Sequence, residues 1–167
     1  FRQSERLFAS AIHFETMVKF TGVGDKQCEV VLVGCGVPKR GMGWYHTTQL
    51  MKGQIPSGKL CYIVEPWFLG PGANGPGGAE FGEYKAWAEK EHGVQFFKAL
   101  ADLPAVTEGK KRLALISGRT ADNPRFLSEC IAANCNVVYL EKPGAPTVAD
   151  LGAMRDEAQK AGVPVKM

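Results

Sequence analysis

The chain has 167 residues, 45% hydrophobic and 22% charged, which suits one globular domain with a substantial core. Its net charge of +3 is small and scattered, so the composition implies no nucleic-acid partner. No apolar run approaches membrane-spanning length, and no membrane association is expected.

Both ends read as cut, with Phe1 in place of methionine and a strand-like Val163-Pro164-Val165-Lys166-Met167 at the close. Residues 1–22 mix Arg2, Arg6 and Lys19 with Leu7, Phe8, Ile12, Phe14 and Val18, a loosely amphipathic pattern. We read 1–27 as an N-terminal extension, partly helical. An organelle-targeting remnant is the alternative, against which Glu5 and Glu15 count, and a cytoplasmic location is expected. Val30 to Val33 is continuous and β-branched, as a buried parallel strand should be. It runs into Gly34-Cys35-Gly36-Val37-Pro38-Lys39-Arg40-Gly41-Met42-Gly43, four glycines in ten residues, and then a helix over Trp44 to Met51.

Glycines at a strand-to-helix junction let the backbone approach something bulky, and a dinucleotide diphosphate is the leading candidate. Gly34-x-Gly36 fits the dinucleotide fingerprint, but Lys39 stands where its third glycine belongs. Gly43 takes that role if Val37 to Arg40 is an insertion. Leu60 to Val64 is the second strand, ending in Glu65. An acid there accepts the ribose hydroxyls and repels a 2′-phosphate, favouring NAD over NADP. Lys39 and Arg40 are either solvated loop tips or cations that offset Glu65 and admit NADP.

Pro66 to Gly82 is too rich in glycine and proline for a helix and reads as a long loop, a kind often functional. Glu83 to His92 is helical and Val94 to Phe97 a short third strand. Lys110-Lys111-Arg112, the densest basic run, reads as a solvated face before the fourth strand, Leu113 to Ile116. Ser117-Gly118-Arg119 follows. Arg119 would meet a phosphate or an acidic substrate, or pair with Asp122. Pro124 near the start of a helix to Ala133 costs little, because that N–H has no helical partner. Val137 to Leu140 is the fifth strand, ending in Glu141-Lys142-Pro143, and a helix from Thr147, capped by Asp150, closes at Gly162. The fold predicted is α/β, a Rossmann-type doubly wound, mostly parallel six-stranded sheet with helices on both faces, over 28–167. Its strand ends would gather the glycine loop, Glu65, Ser117 to Arg119 and Glu141 to Pro143 on one rim.

Five cysteines without C-x-x-C spacing read as buried, reduced thiols of an intracellular protein. His13, His46 and His92 have no ligand partners nearby in sequence, so no metal is expected.

The run Val-Val-Tyr-Leu-Glu-Lys-Pro, the glycine loop, His46 three residues after Gly43 and the strand-two acid together resemble the Gfo/Idh/MocA oxidoreductase family. The resemblance covers 28–167 and implies an N-terminal NAD(P)-binding domain. It implies that Lys142 lies near the nicotinamide and the reacting hydroxyl, where an ammonium stabilises developing alkoxide charge. Pro143 would fix the turn, through a cis bond if the turn needs one. The cofactor residues so implied are Gly34, Cys35, Gly36, Gly41, Met42, Gly43, Glu65, Ser117, Gly118, Arg119, Asn123, Glu141, Lys142 and Pro143. After the fourth strand the family commonly has a Thr-Pro-Asn-x-x-His-like segment. This chain keeps Asn123 and Pro124, and no histidine follows. The implied reaction is oxidation of a secondary alcohol on a sugar, inositol or polyol, completed by a C-terminal domain this chain lacks. A non-catalytic NAD(P)-responsive module is the alternative, and a homo-oligomer is left open.

Overall fold

A computed structural model describes residues 27–167, so the extension expected over 1–27 lies almost wholly outside the described residues. Six strands are present: β1 (Cys28–Val33), β2 (Gly58–Val64), β3 (Gln95–Phe97), β4 (Arg112–Ile116), β5 (Val137–Leu140) and β6 (Val165–Lys166). Four α-helices connect them: α1 (Met42–Met51), α2 (Gly78–His92), α3 (Asn123–Ala132) and α4 (Val148–Ala161). The sheet order is β3-β2-β1-β4-β5-β6 and every pairing is parallel, so the sheet is wholly rather than mostly parallel.

Alternation along the strands divides the core. Val31, Val33, Val64, Ala114, Ile116, Val138 and Leu140 pack with Phe126 and Leu127 of α3 and Met154 and Ala158 of α4. Val30, Leu32, Leu60, Ile63 and Leu115 pack with Leu50 and Met51 of α1 and Phe81, Tyr84 and Ala88 of α2. Helix pairs therefore cover opposite faces, which is why β1 has no polar face to show water. Among the described residues no helix is long and apolar enough to cross a membrane.

Most element boundaries fall within a residue or two of those expected. Thr147 caps α4 by accepting the Asp150 N–H at 3.1 Å, and Gly162 closes it in the left-handed region. Two readings need correction. The loop after β2 ends at Gly77, not Gly82, because α2 already begins at Gly78. A Cβ on Gly78 would lie 2.0 Å from the Ala73 carbonyl oxygen, and Phe81 stacks on Phe68 at 5.2 Å. Glycine thus permits close packing that starts the helix early. Arg112 is not on a solvated face: it is 1% exposed and paired with Glu29 at 2.9 Å. All five cysteines are free thiols, four of them buried.

Candidate functional site

The chain leaves β1, runs outward to β3, then crosses back to β4 on the other side of β1. The C-terminal ends of β1 and β4 therefore diverge into loops on opposite sides, and such a switch point opens a crevice. A cleft of about 610 Å³ lies there, lined by Gly34, Gly36, Glu65, Ser117, Gly118 and Arg119 among others.

Its floor is tight. A Cβ on Gly34 would come 2.4 Å from Gly118 Cα, and one on Gly43 would come 2.5 Å from the Gly34 oxygen. The first contact joins the β1 and β4 loops; the second seats α1 directly over the glycine loop. Gly41 precedes α1 at φ 85°, and no side chain caps the helix. Met42, half exposed, is the first helical residue. The first-turn N–H groups are thus left for an anion at the glycine loop. Cys35 is 1% exposed, and burial pushes its thiol up to about 12, so it stays protonated.

Glu65 joins the second strand to this loop. Its Oε2 accepts the Gly36 N–H at 2.9 Å and its Oε1 the Trp67 N–H at 3.3 Å. The side chain is 4% exposed. Burial raises its carboxyl above the ordinary range, and the backbone N–H bonds oppose that rise. On the β4 side, Ser117 Oγ is buried with no hydrogen-bond partner among the described residues. An orphaned hydroxyl in the lining, a glycine cradle without room for side chains and an uncapped helix N-terminus together fit a diphosphate-bearing ligand.

Arg119 donates through Nε to Asp122 at 3.1 Å, so the pairing with Asp122 is the arrangement formed. Its side chain nonetheless remains 83% exposed at the cleft. Lys39, at φ 62°, and Arg40 are exposed at the loop tip, where Arg40 meets Glu80 at 3.5 Å.

Glu141, Lys142 and Pro143 are on the same rim but outside the cleft lining, as are Gly41, Met42, Gly43 and Asn123. The Lys142–Pro143 bond is cis. Two tethers hold the turn. Asn123, 2% exposed, donates through Nδ2 to the Gly144 oxygen at 3.1 Å and the Pro143 oxygen at 3.4 Å. Glu141 Oε1 meets His46 Nε2 at 2.7 Å and accepts from the Tyr139 hydroxyl at 3.3 Å. Partial burial pushes the Glu141 carboxyl up, but His46, Tyr139 and the Lys142 N–H together hold it below its ordinary range. Lys142 itself is exposed.

Sequence reasoning missed the His46–Glu141 contact, because the partners are 95 residues apart. It also passed over Trp67, Phe68, Arg125 and Phe126, which share the cleft lining. A Trp-Phe pair in a glycine- and proline-rich loop, two residues after the strand-end acid, was the available signal.

No family model and no curated protein matches the chain. Solved structures do. The NAD-binding protein from Listeria innocua is 21% identical with a TM-score of 0.55, over 84% of this chain and 34% of that one. Apo scyllo-inositol dehydrogenase from Lactobacillus casei is 18% identical with a TM-score of 0.59, over 84% and 36%. The WlbA dehydrogenase from Chromobacterium violaceum, in complex with NADH and UDP-GlcNAcA, is 22% identical with a TM-score of 0.59, over 90% and 38%. At these identities the likeness shows a shared Rossmann-type fold. The chain spans about a third of the length of each of these proteins.

Proposed function

We propose that residues 28–167 form the dinucleotide-binding domain of an NAD-dependent oxidoreductase of the Gfo/Idh/MocA type. A second domain would complete a pocket for a secondary alcohol on a sugar, inositol or polyol. The observation that carries this reading is the union of the Glu65 carboxylate with the Gly36 N–H at the switch point, beside the rim that carries Glu141-Lys142-Pro143. The similar structures include an NAD-binding protein, an inositol dehydrogenase and a dehydrogenase complexed with NADH, in agreement with that chemistry. Five free cysteines suit a reducing cytoplasm.

When bound, the nicotinamide accepts the hydride. The chain's own residues hold and orient. Gly34, Gly36 and Gly43 admit the diphosphate, with Gly41 and Met42 opening α1 toward it and Cys35 packed beneath. Ser117, Gly118 and Arg119 form the other wall. Glu65 accepts the ribose hydroxyls and repels a 2′-phosphate, so NAD is preferred to NADP. Lys142 stabilises negative charge on the substrate oxygen. Asn123 and His46, through Gly144 and Glu141, set the direction of that lysine.

Calorimetric titration of the chain with NADH tests the site. At Gly36 an added Cβ meets only the Arg40 oxygen, at 3.6 Å, but the φ of 72° admits a β-branched residue only under strain. Valine there both adds bulk to the glycine loop and distorts it. We expect saturable binding to the unaltered chain and none to Gly36→Val, with melting curves confirming that the variant folds. Equal affinity in the two would sink the assignment, as would no binding by the unaltered chain.

A second reading, a non-catalytic dinucleotide-responsive module, draws on the commitment of His46 to Glu141. Assay of the intact natural protein with NAD and a polyol panel separates the two. NADH formation supports the oxidoreductase, and saturable NADH binding without turnover supports the module.

A further inference from the structure

Trp67 is an unusual residue for its position. It is 58% exposed, yet little about it is loose. Its N–H is bound to Glu65 Oε1, and its carbonyl accepts the Gly70 and Gly72 N–H groups at 3.0 and 2.9 Å. The indole lies against Gly72, where a Cβ would come 2.2 Å from Nε1. Gly72 is not in a left-handed conformation, so the indole, not the backbone, is what requires glycine there. Pro66 and Pro71 stiffen the same short segment. An aromatic ring held in place while exposed to a cleft has already lost the freedom that binding would otherwise remove.

Its location is as informative. Trp67 follows Glu65 by two residues and shares the cleft lining with it. A ribose held at Glu65 would place the attached base beside the indole. Across the switch point, the β4–α3 connection and the first turn of α3 bring Arg119 and Arg125 into the same lining. Asp122 lies between them, with its oxygens 3.1 Å from Arg119 and 3.8 Å from Arg125. Arg125 also covers the Phe126 ring at 4.4 Å. The lining therefore offers ring and guanidinium faces, and its half-buried acid, Asp122, is committed to the arginines.

We propose that Trp67 is the stacking platform for the dinucleotide's base, with Arg119 supplying a guanidinium from the other wall. Recognition is by π-face, and either purine is accepted. This rests on the dinucleotide reading above and names the group that selects the base. Stacking on an aromatic side chain tolerates any base but favours the larger ring system.

The test is titration of the whole chain with ADP, GDP and UDP, which share ribose and diphosphate and differ in the base. The unaltered chain should bind ADP and GDP within about threefold of each other and UDP more weakly, as stacking strength dictates. Trp67→Leu, which keeps apolar bulk and the backbone N–H, should weaken both purines by about fivefold or more and shrink their advantage over UDP. Trp67→Phe should restore most of that advantage, and Gly72→Ala, which displaces the indole, should reproduce the leucine variant. An unchanged ADP-to-UDP ratio in Trp67→Leu would overturn the proposal, as would an equal loss of all three ligands. If NADH binding persists in either case, only the base platform fails. An unaltered chain that binds neither NADH nor any of the three overturns the dinucleotide reading, and the platform with it.

Discussion

Glu65 has one duty in the fold, holding the Gly36 and Trp67 N–H groups, and a second, toward a ribose, in the proposal made for the cleft. Its place at the end of the second strand was legible from Leu60 to Val64 running into a carboxylate. Its hold on the Gly36 N–H was not legible, because the two residues are 29 apart and only the β1–β2 pairing brings them together. Removing the side chain would leave the Gly36 and Trp67 N–H groups without this acceptor, at about 1–3 kcal/mol for a buried group. Glu65→Ala should therefore lower Tm and weaken both cofactors, NADH more than NADPH because the repulsion of a 2′-phosphate goes too. Glu65→Gln keeps a carbonyl acceptor and removes the charge, so it should narrow the NADH preference with little loss of Tm. Calorimetry with both cofactors reads the difference, and an unchanged NADH-to-NADPH ratio in Glu65→Gln would assign the preference elsewhere. The raised carboxyl adds a sign. Just above the ordinary carboxylate range the native state holds a proton that the unfolded state has released, so stability falls as pH rises through that window. The ionised acceptor forms over the same window, and NADH affinity should rise with it. Glu65→Gln should flatten that rise.

At the scale of elements, legibility followed local chemistry. The Thr147–Asp150 cap, the Gly162 stop and Pro124 near the start of α3 are short-range signals, and each helix lies where they place it. The sequence shortens α2 to residues 83–92 because Gly77, Gly78 and Gly82 argue against helix one residue at a time. Packing of Phe81 on Phe68 and Phe96 overrides them. The same three glycines now separate by mechanism. Gly77 needs its φ of 85°, and Gly78 needs the space beside Ala73. Gly82 needs neither: it is exposed within the helix, and a Cβ there meets nothing within 4 Å. Gly82→Ala should therefore stabilise the chain by about 0.5–1 kcal/mol through helix propensity alone. That corresponds to a Tm rise of about 1–4 °C for a domain of this size. Gly78→Ala should lower Tm. Thermal melts of the pair decide it, and a fall in both would mean that α2 tolerates no change on either face.

Across the whole molecule the two ends of the sheet are built differently. The C-terminal rim is glycine, open loops and exposed cations. The opposite end is locked by an ion pair between adjacent strands, Glu29 of β1 and Arg112 of β4. Arg112 donates to Glu29 Oε2 through Nη2 at 2.9 Å and Nε at 3.2 Å, and to the Pro104 oxygen at 3.0 Å. Glu29 Oε1 accepts from the Thr107 N–H at 3.0 Å and from the Thr107 hydroxyl. The return crossover from β3 is thereby pinned at the strands that flank the switch point. The strand–helix alternation was enough to foresee the doubly wound sheet. It could not show this lock, since Arg112 follows two lysines and its partner is 83 residues away. Removing one partner leaves a buried charge uncompensated, so Arg112→Met should cost about 3–5 kcal/mol, read by denaturant unfolding. Adding Glu29→Gln to it should recover part of that loss, because the stranded charge is gone. Desolvation pushes the Glu29 carboxyl up, but hydrogen bonds from Thr107 and Arg112 leave it below its ordinary range. Its contribution to stability is then present above the unfolded-state value and lost as pH falls through the folded one. Arg112→Met should weaken that dependence, with the Thr107 hydrogen bonds to Glu29 remaining. NADH affinity should be unchanged in the folded variants, because the lock lies at the far end of the strands from the cleft. A cost below about 1 kcal/mol for Arg112→Met would reduce the pair to the worth of an exposed one, and the crossover would have to be held by its apolar contacts alone.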